Sequence, residues 1–188
     1  FFKCAHHAPA AETSGHTETV SRNNKHFTVD IHCHIHVPEA DEYVRQESPE
    51  FTGRTMVDSN PITSKINAEQ QQTILPKLTD PEIRLKDMDA QGIDVQAIST
   101  SPFHYNYFFD AEFTRETARL VNDRIAEVVA SHPDRFVGLG TVPLQNPEMA
   151  VTELDRCIDE LGFKGVEIST NVNGQDLTRA GLEKFFAA

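Results

Sequence analysis

The chain has 188 residues, 38% hydrophobic composition and a formal net charge of −12, enough for one domain with a real core. No apolar run approaches the ~20 residues that cross a bilayer, and no basic patch or arginine-rich helix face offers a surface to nucleic acid or an anionic membrane. The three cysteines, Cys4, Cys33 and Cys157, are odd in number and lack paired spacing, so they read as reduced thiols in a cytoplasmic protein.

In chain order, residues 1–26 are polar and aperiodic and are predicted to be a flexible extension that includes His6, His7 and His16. No apolar segment before a cleavage-like site marks a secretory signal. Because the first residue is Phe1 and the final residues read as the opening of an amphipathic helix, both ends are expected to be artificial.

Residues 28–36 begin as a β-branched and apolar run and continue as histidines alternating with smaller residues, which is the pattern of a strand reaching a chemical site. Period two predicts Asp30, His32, His34 and His36 on one side and Ile31, Cys33 and Ile35 on the other. Two imidazoles one residue apart reach one ion from the same side, and neutral imidazole is the commonest nitrogen donor for zinc and similar metals. His32 and His34 are therefore the predicted metal ligands. A solvated histidine-rich edge is the competing reading, and it leaves Val29, Ile31 and Ile35 unexplained. His36 is expected in a loop or supporting role at the mouth, Cys33 as a packed thiol, and Asp30, one step deeper, as the group that orients a ligand imidazole.

From 37 to 79 no period holds, and Pro38, Pro49, Gly53, Pro61 and Pro76 punctuate the stretch. Only 65–73 is expected to form a short helix, and the whole reads as a lid-like insertion following the histidines. Asp80 then caps, Pro81 takes the first helical position, and Gly92 ends the helix in the left-handed conformation. A second strand at 94–100 leads into the aromatic segment 102–109, either surface packing or one wall of a pocket. Leu120, Val121, Ile125, Val128 and Val129 recur at helical spacing, and that helix stops before Pro133. A third strand covers 136–142, with small residues suited to close backbone approach. Asn146 and Pro147 repeat the cap-then-proline device ahead of a stripe of Val151, Leu154, Ile158 and Leu161 closed by Gly162, and a fourth strand is predicted at 165–170.

Strands and helices alternate, which predicts an α/β fold with a parallel sheet and outer helices. The leading architecture is a (β/α)8 TIM barrel of the metal-dependent hydrolase type, with about the first four βα units present at 27–188. A whole barrel takes about 250 residues. Barrel chemistry gathers at C-terminal strand ends, where His34, Thr100, Thr141 and Asn171 fall. Phe103, His104 and Asn171 are the candidates for substrate contact, with loop or capping roles as the alternatives.

The ordered set Asp30-Ile-His32-Cys-His34, Asp80-Pro-Glu-Ile-Arg84, Met88-Asp-Ala-Gln-Gly92, Ala97-Ile-Ser-Thr100, Arg135-Phe-Val-Gly-Leu-Gly-Thr-Val-Pro143 and Glu160-Leu-Gly-Phe-Lys-Gly-Val-Glu-Ile168 resembles the N-terminal half of the amidohydrolase-related metal-dependent decarboxylases, above all those of the semialdehyde type. The resemblance implies a barrel holding one divalent ion, usually zinc, with manganese as the second choice. His32 and His34 match the two ligands of the family's first strand. The remaining ligands, a histidine after the fifth strand and an aspartate at the eighth, and the proton-handling histidine after the sixth, have no counterpart in these 188 residues, so the catalytic residues are expected beyond residue 188. No arginine around 70–77 matches the one that meets substrate carboxylate in the semialdehyde type, and Arg54 is placed too early.

The resulting expectation is a carbon–carbon lyase acting on an aromatic or muconate-type carboxylic acid, with these residues inactive alone. A metal-dependent hydrolase of a lactone, amide or ester, and a non-catalytic half-barrel, are the rivals. Relatives are often homodimers, and the open edges of a half-barrel are expected to self-associate.

Overall fold

Parallel pairing organises the core. In the computed structural model, which describes residues 26–50, 60–178 and 181–188, β1 (Val29–Ile35) pairs with β2 (Val95–Thr100) and β2 with β3 (Phe136–Gly138), giving the order β1-β2-β3 with every pair parallel. Three helices make the crossovers and cover one face: α3 (Pro81–Gln91), α4 (Ala111–Ser131) and α5 (Pro147–Asp155). Cys33, Ile35, Ile98 and Phe136 from the strands meet Met88, Val121, Ile125 and Val128 from the helices in one buried cluster, each large side chain contributing about 1.5–3 kcal/mol.

Local chemistry fixes the helix ends. Asp80 accepts from the amides of Glu82 and Ile83, Asn146 from those of Glu148 and Met149, and in each case proline follows the cap. Gly92 closes α3 at φ 71°, a left-handed conformation that costs glycine nothing. The predicted third strand at 136–142 is shorter, Phe136–Gly138, with Gly140 kept in a single bridge beyond it, and packing requires both glycines. A Cβ on Gly140 would stand 2.6 Å from Cys157 Sγ, and one on Gly138 would stand 2.4 Å from Phe163 Cδ1.

Three further expectations are corrected. The 37–79 stretch carries two helices, α1 (Pro38–Glu47) and α2 (Pro61–Thr79), instead of one short helix at 65–73. Asn60 caps α2 with the same proline device, and the helix runs through Pro76. No residue of α2 is buried, so its sequence carries no core stripe from which a period could be read. The predicted fourth strand at 165–170 is reduced to one parallel bridge between Gly140 and Val166. The chain there keeps the ladder for only a few bonds, Lys164 N to Gly138 O, Gly140 N to Gly165 O and Glu167 N to Gly140 O. It then turns into a small antiparallel hairpin, β4 (Asn171–Val172) with β5 (Gln175–Asp176), ahead of α6 (Glu183–Ala187). The helical stripe at 151–161 ends in a widened turn, with Leu161 N bonded to Arg156 O. The predicted extension, apart from His26, and Arg54 lie outside the described residues.

Candidate metal centre

The third correction concerns β1. Asp30 pairs with Gln96 and Cys33 with Ile98, so three steps on β1 oppose two on β2. The extra residue makes a β-bulge, which reverses the facing of everything upstream of it. Paired residues of a parallel sheet share a face, so Asp30 lies with Gln96, Ile98, Cys33 and Ile35 on the helix side, while His34 lies with Ser99 on the other. Ile31, expected beside Cys33, is 75% exposed. The expected single face of four is thus split at the bulge, and Asp30 touches His32 at its main-chain amide, 3.2 Å away, instead of at its ring. Its other oxygen accepts from Gln96 Nε2, and its carboxyl is held below the usual range by the Cys33 thiol first. Gln96 in turn accepts from Arg84, whose second nitrogen donates to His34 O at 2.6 Å. What this chain of contacts fixes is the backbone that carries the histidines.

His32 and His34 meet as a T-shaped pair with ring centroids 5.0 Å apart. His34 Nδ1 lies 2.9 Å from the carbonyl of Thr100. A carbonyl oxygen can only accept, so the proton is assigned to Nδ1 and the lone pair to Nε2, the arrangement a metal-ligating imidazole needs. The same Nδ1 is 3.2 Å from Ser99 Oγ and 3.8 Å from Glu167 Oε2. Glu167 accepts from the Tyr105 hydroxyl at 2.5 Å, and burial, followed by that contact, keeps the phenol protonated far above its ordinary range. His32 and His34 both line a cleft of about 290 Å³ along β1, together with Lys77 and Arg84. Two neighbouring imidazoles, one with its ring orientation fixed by the sheet, are groups that could hold a divalent ion.

A second group stands at the strand ends. His36 Nε2 lies 3.0 Å and His104 Nε2 3.3 Å from the two oxygens of Asp41 on α1, and the two rings stack at 4.8 Å. Burial raises the Asp41 carboxyl, and the imidazoles of His104 and His36 more than reverse this, leaving it well below the usual carboxylate range. His104 is 2% exposed, its ring enclosed by these contacts. Asn171 uses its side-chain oxygen on the Gly174 amide within the hairpin. Phe103 is half-buried in the single turn Pro102–His104. Sequence reading missed Glu167, Asp41, Ser99 and Tyr105. Glu167 does occupy a fourth-strand position, and that placement is the signal that could have found it.

Both described cysteines are buried and free. Burial, with Asp30 beside Cys33 and Glu153 near Cys157, pushes each thiol up to about 12 from an ordinary 9.0. A raised thiol contributes stability that is intact below pH 9.0 and is lost as the pH climbs towards 12. Peptide-mapped alkylation of the native chain near pH 8 is expected to leave Cys33 and Cys157 unmodified, and the urea midpoint to fall only above pH 9. Fast labelling of either thiol would contradict this assignment.

A three-stranded parallel sheet with outer helices and a His-x-His on its first strand places the chain in the α/β class with a candidate metal centre. Within that class the chain belongs to the amidohydrolase family, whose model matches residues 29–188. It is 39% identical over 107 residues to 2-amino-3-carboxymuconate-6-semialdehyde decarboxylase of Dictyostelium discoideum, covering 57% of this chain and 30% of that protein. Over 118 residues it is 36% identical to gamma-resorcylate decarboxylase of Polaromonas sp. strain JS666, covering 63% and 36%. Among solved structures, 5-carboxyvanillate decarboxylase of Novosphingobium aromaticivorans, complexed with manganese and 4-hydroxy-3-methoxy-5-nitrobenzoic acid, matches with a TM-score of 0.76 and 28% identity over 93% of this chain and 50% of that one. Dihydroxybenzoic acid decarboxylase of Polaromonas sp. JS666, with manganese and the inhibitor 2-nitroresorcinol, matches with a TM-score of 0.57, 29% identity and coverage of 74% and 37%. The chain spans about a third of the length of these curated relatives and at most half of these solved structures. No helix among the described residues is long and apolar enough to cross a membrane.

Proposed function

We propose that this chain forms the part of a metal-dependent decarboxylase that holds one divalent ion through His32 and His34, and that the whole protein removes carbon dioxide from an aromatic or muconate-type carboxylic acid. The observation that carries the reading is His34, whose Nδ1 is committed to Thr100 O and whose Nε2 is thereby prepared as a ligand. Zinc and manganese both suit imidazole nitrogen, and manganese is the ion in the solved relatives. Such an ion, when bound, polarises a substrate oxygen and lowers the pKa of a bound water from about 15.7 towards about 7.

The residues of this chain then have separate tasks. Ser99 and the Thr100 carbonyl orient His34. Asp30 and Arg84 brace the main chain at His32 and His34. Tyr105 holds the Glu167 carboxylate beside His34, placing negative charge where it offsets that of the ion. Phe103 remains an apolar contact for the substrate ring. Asn171 acts through the hairpin it closes, and His104 through the contacts at the strand ends. Free thiols suit a cytoplasmic enzyme, and a homodimer is the assembly that goes with this reading.

Two of the family's metal ligands are supplied here, so these residues alone are expected to bind metal without turnover. The test joins residues 27–188 to the part of the Dictyostelium relative that follows the matched segment and offers the chimera an aromatic carboxylic acid or an aryl lactone with manganese or zinc. Metal-dependent release of carbon dioxide supports the lyase reading. Lactone cleavage without carbon dioxide would transfer the chain to the hydrolase reading.

A further inference from the structure

The structure assigns a second cation site to His36, Asp41 and His104, separate in its ligands from the His32 and His34 pair, and we infer that a divalent transition ion such as zinc occupies it and ties α1 to the ends of β1 and β2. The three side chains come from three places: His36 just beyond β1, Asp41 in the first turns of α1, and His104 in the turn after β2. Their ligand atoms all lie within 4.8 Å of one another. Metal–nitrogen and metal–oxygen bonds of about 2.0–2.2 Å put two ligands of one ion at most ~4.4 Å apart, so only small rotations close the group. Asp41 has 41% of its side chain exposed, which leaves it free to make them and leaves a path for the ion and its water.

The Thr100 hydroxyl lies 3.3 Å from both Ser101 O and His104 Nδ1, and this contact turns His104 Nε2 towards a carboxylate oxygen of Asp41 at 3.3 Å, where a neutral imidazole offers either an N–H or a lone pair. The nearly parallel His36 ring, 26° from that of His104, brings its Nε2 to the other oxygen of the same carboxylate. Two imidazole nitrogens and one carboxylate oxygen, with water in the remaining position, are a ligand set that zinc takes.

The experiment is a cobalt titration of the full chain, followed by visible d–d absorption, on the parent, His32→Ala/His34→Ala, Asp41→Asn and the triple variant. The tail histidines are common to all four, so only differences are read. The double variant is expected to retain an equivalent that the triple variant loses, and Asp41→Asn alone to lose one equivalent while keeping the one at His32 and His34. Failure of the first site removes the other equivalent, so the two readings fail separately. Identical titrations of the double and triple variants, both folded by circular dichroism, would overturn the site and leave imidazole–carboxylate hydrogen bonds in its place. Cadmium NMR of the parent covers the case of an unfolded variant: two resonances are expected, and a single one counts against the second site.

Discussion

Arg156→Met is expected to destabilise the fold by about 3–5 kcal/mol, the range for breaking a buried ion pair from one side. Arg156 grips Glu153 through Nε at 3.1 Å to both oxygens and through Nη2 at 2.7 Å, and reaches Asp123 through Nη1. Glu153 is 2% exposed, and its other close partner is Asn122 Nδ2 at 2.7 Å. Asn122 is itself fully buried and clamps the main chain of Thr141 from both sides, donating to its carbonyl and accepting from its amide. Losing the guanidinium therefore leaves a buried carboxylate with only Asn122 and the more distant Arg119, 4.0 Å away, in the corner that positions the C-terminal side of β3. Chemical denaturation measures the loss. The paired change Arg156→Met/Glu153→Leu is expected to recover most of it, because an apolar pair of similar size needs no counter-ion. A loss under about 1 kcal/mol for the single variant would place the pair with ordinary surface bridges.

The second large effect belongs to His34→Ala. Removing a partner that only orients a metal ligand costs about 10–100-fold in affinity, and loss of the ligand itself is expected to exceed that. The variant should lose one equivalent of zinc or manganese in an equilibrium titration while its far-ultraviolet spectrum stays unchanged, since His34 is only half-buried and contributes little to the core. Ser99→Ala, which trims one contact of Nδ1 and leaves the Thr100 carbonyl in place, should stay within about 10-fold of the parent. A folded His34→Ala chain with parental affinity would remove His34 from the site.

How far these elements can be read from sequence depends on whether a local rule governs them. The caps at Asp80 and Asn146, the left-handed Gly92, the α4 stripe through Val121, Ile125 and Val128, and the close-packed Gly138 and Gly140 obey rules of spacing and sterics within a few residues. Helix α2 had the same cap signal in Asn60 and Pro61, but its exposed Ile62, Ile66, Ile74 and Leu75 form no face turned to a core, and Pro76 argued against it. The fourth strand has strand composition yet pairs at one residue, because pairing is decided by the neighbour. Asp41 became visible only through tertiary contact with His36 and His104, whereas Glu167 carried a signal in its place on the predicted fourth strand. The bulge left no trace in composition, since Ile31 suits a paired strand as well as an unpaired step.

That one surplus residue separates two jobs within β1. Upstream of it Asp30 turns to Gln96, and downstream His34 turns to Ser99 and Thr100. Arg84 straddles the step, donating to Gln96 on one side and to the His34 carbonyl on the other. A slip of register upstream is therefore felt at the main chain of His34 and at its ring partner His32.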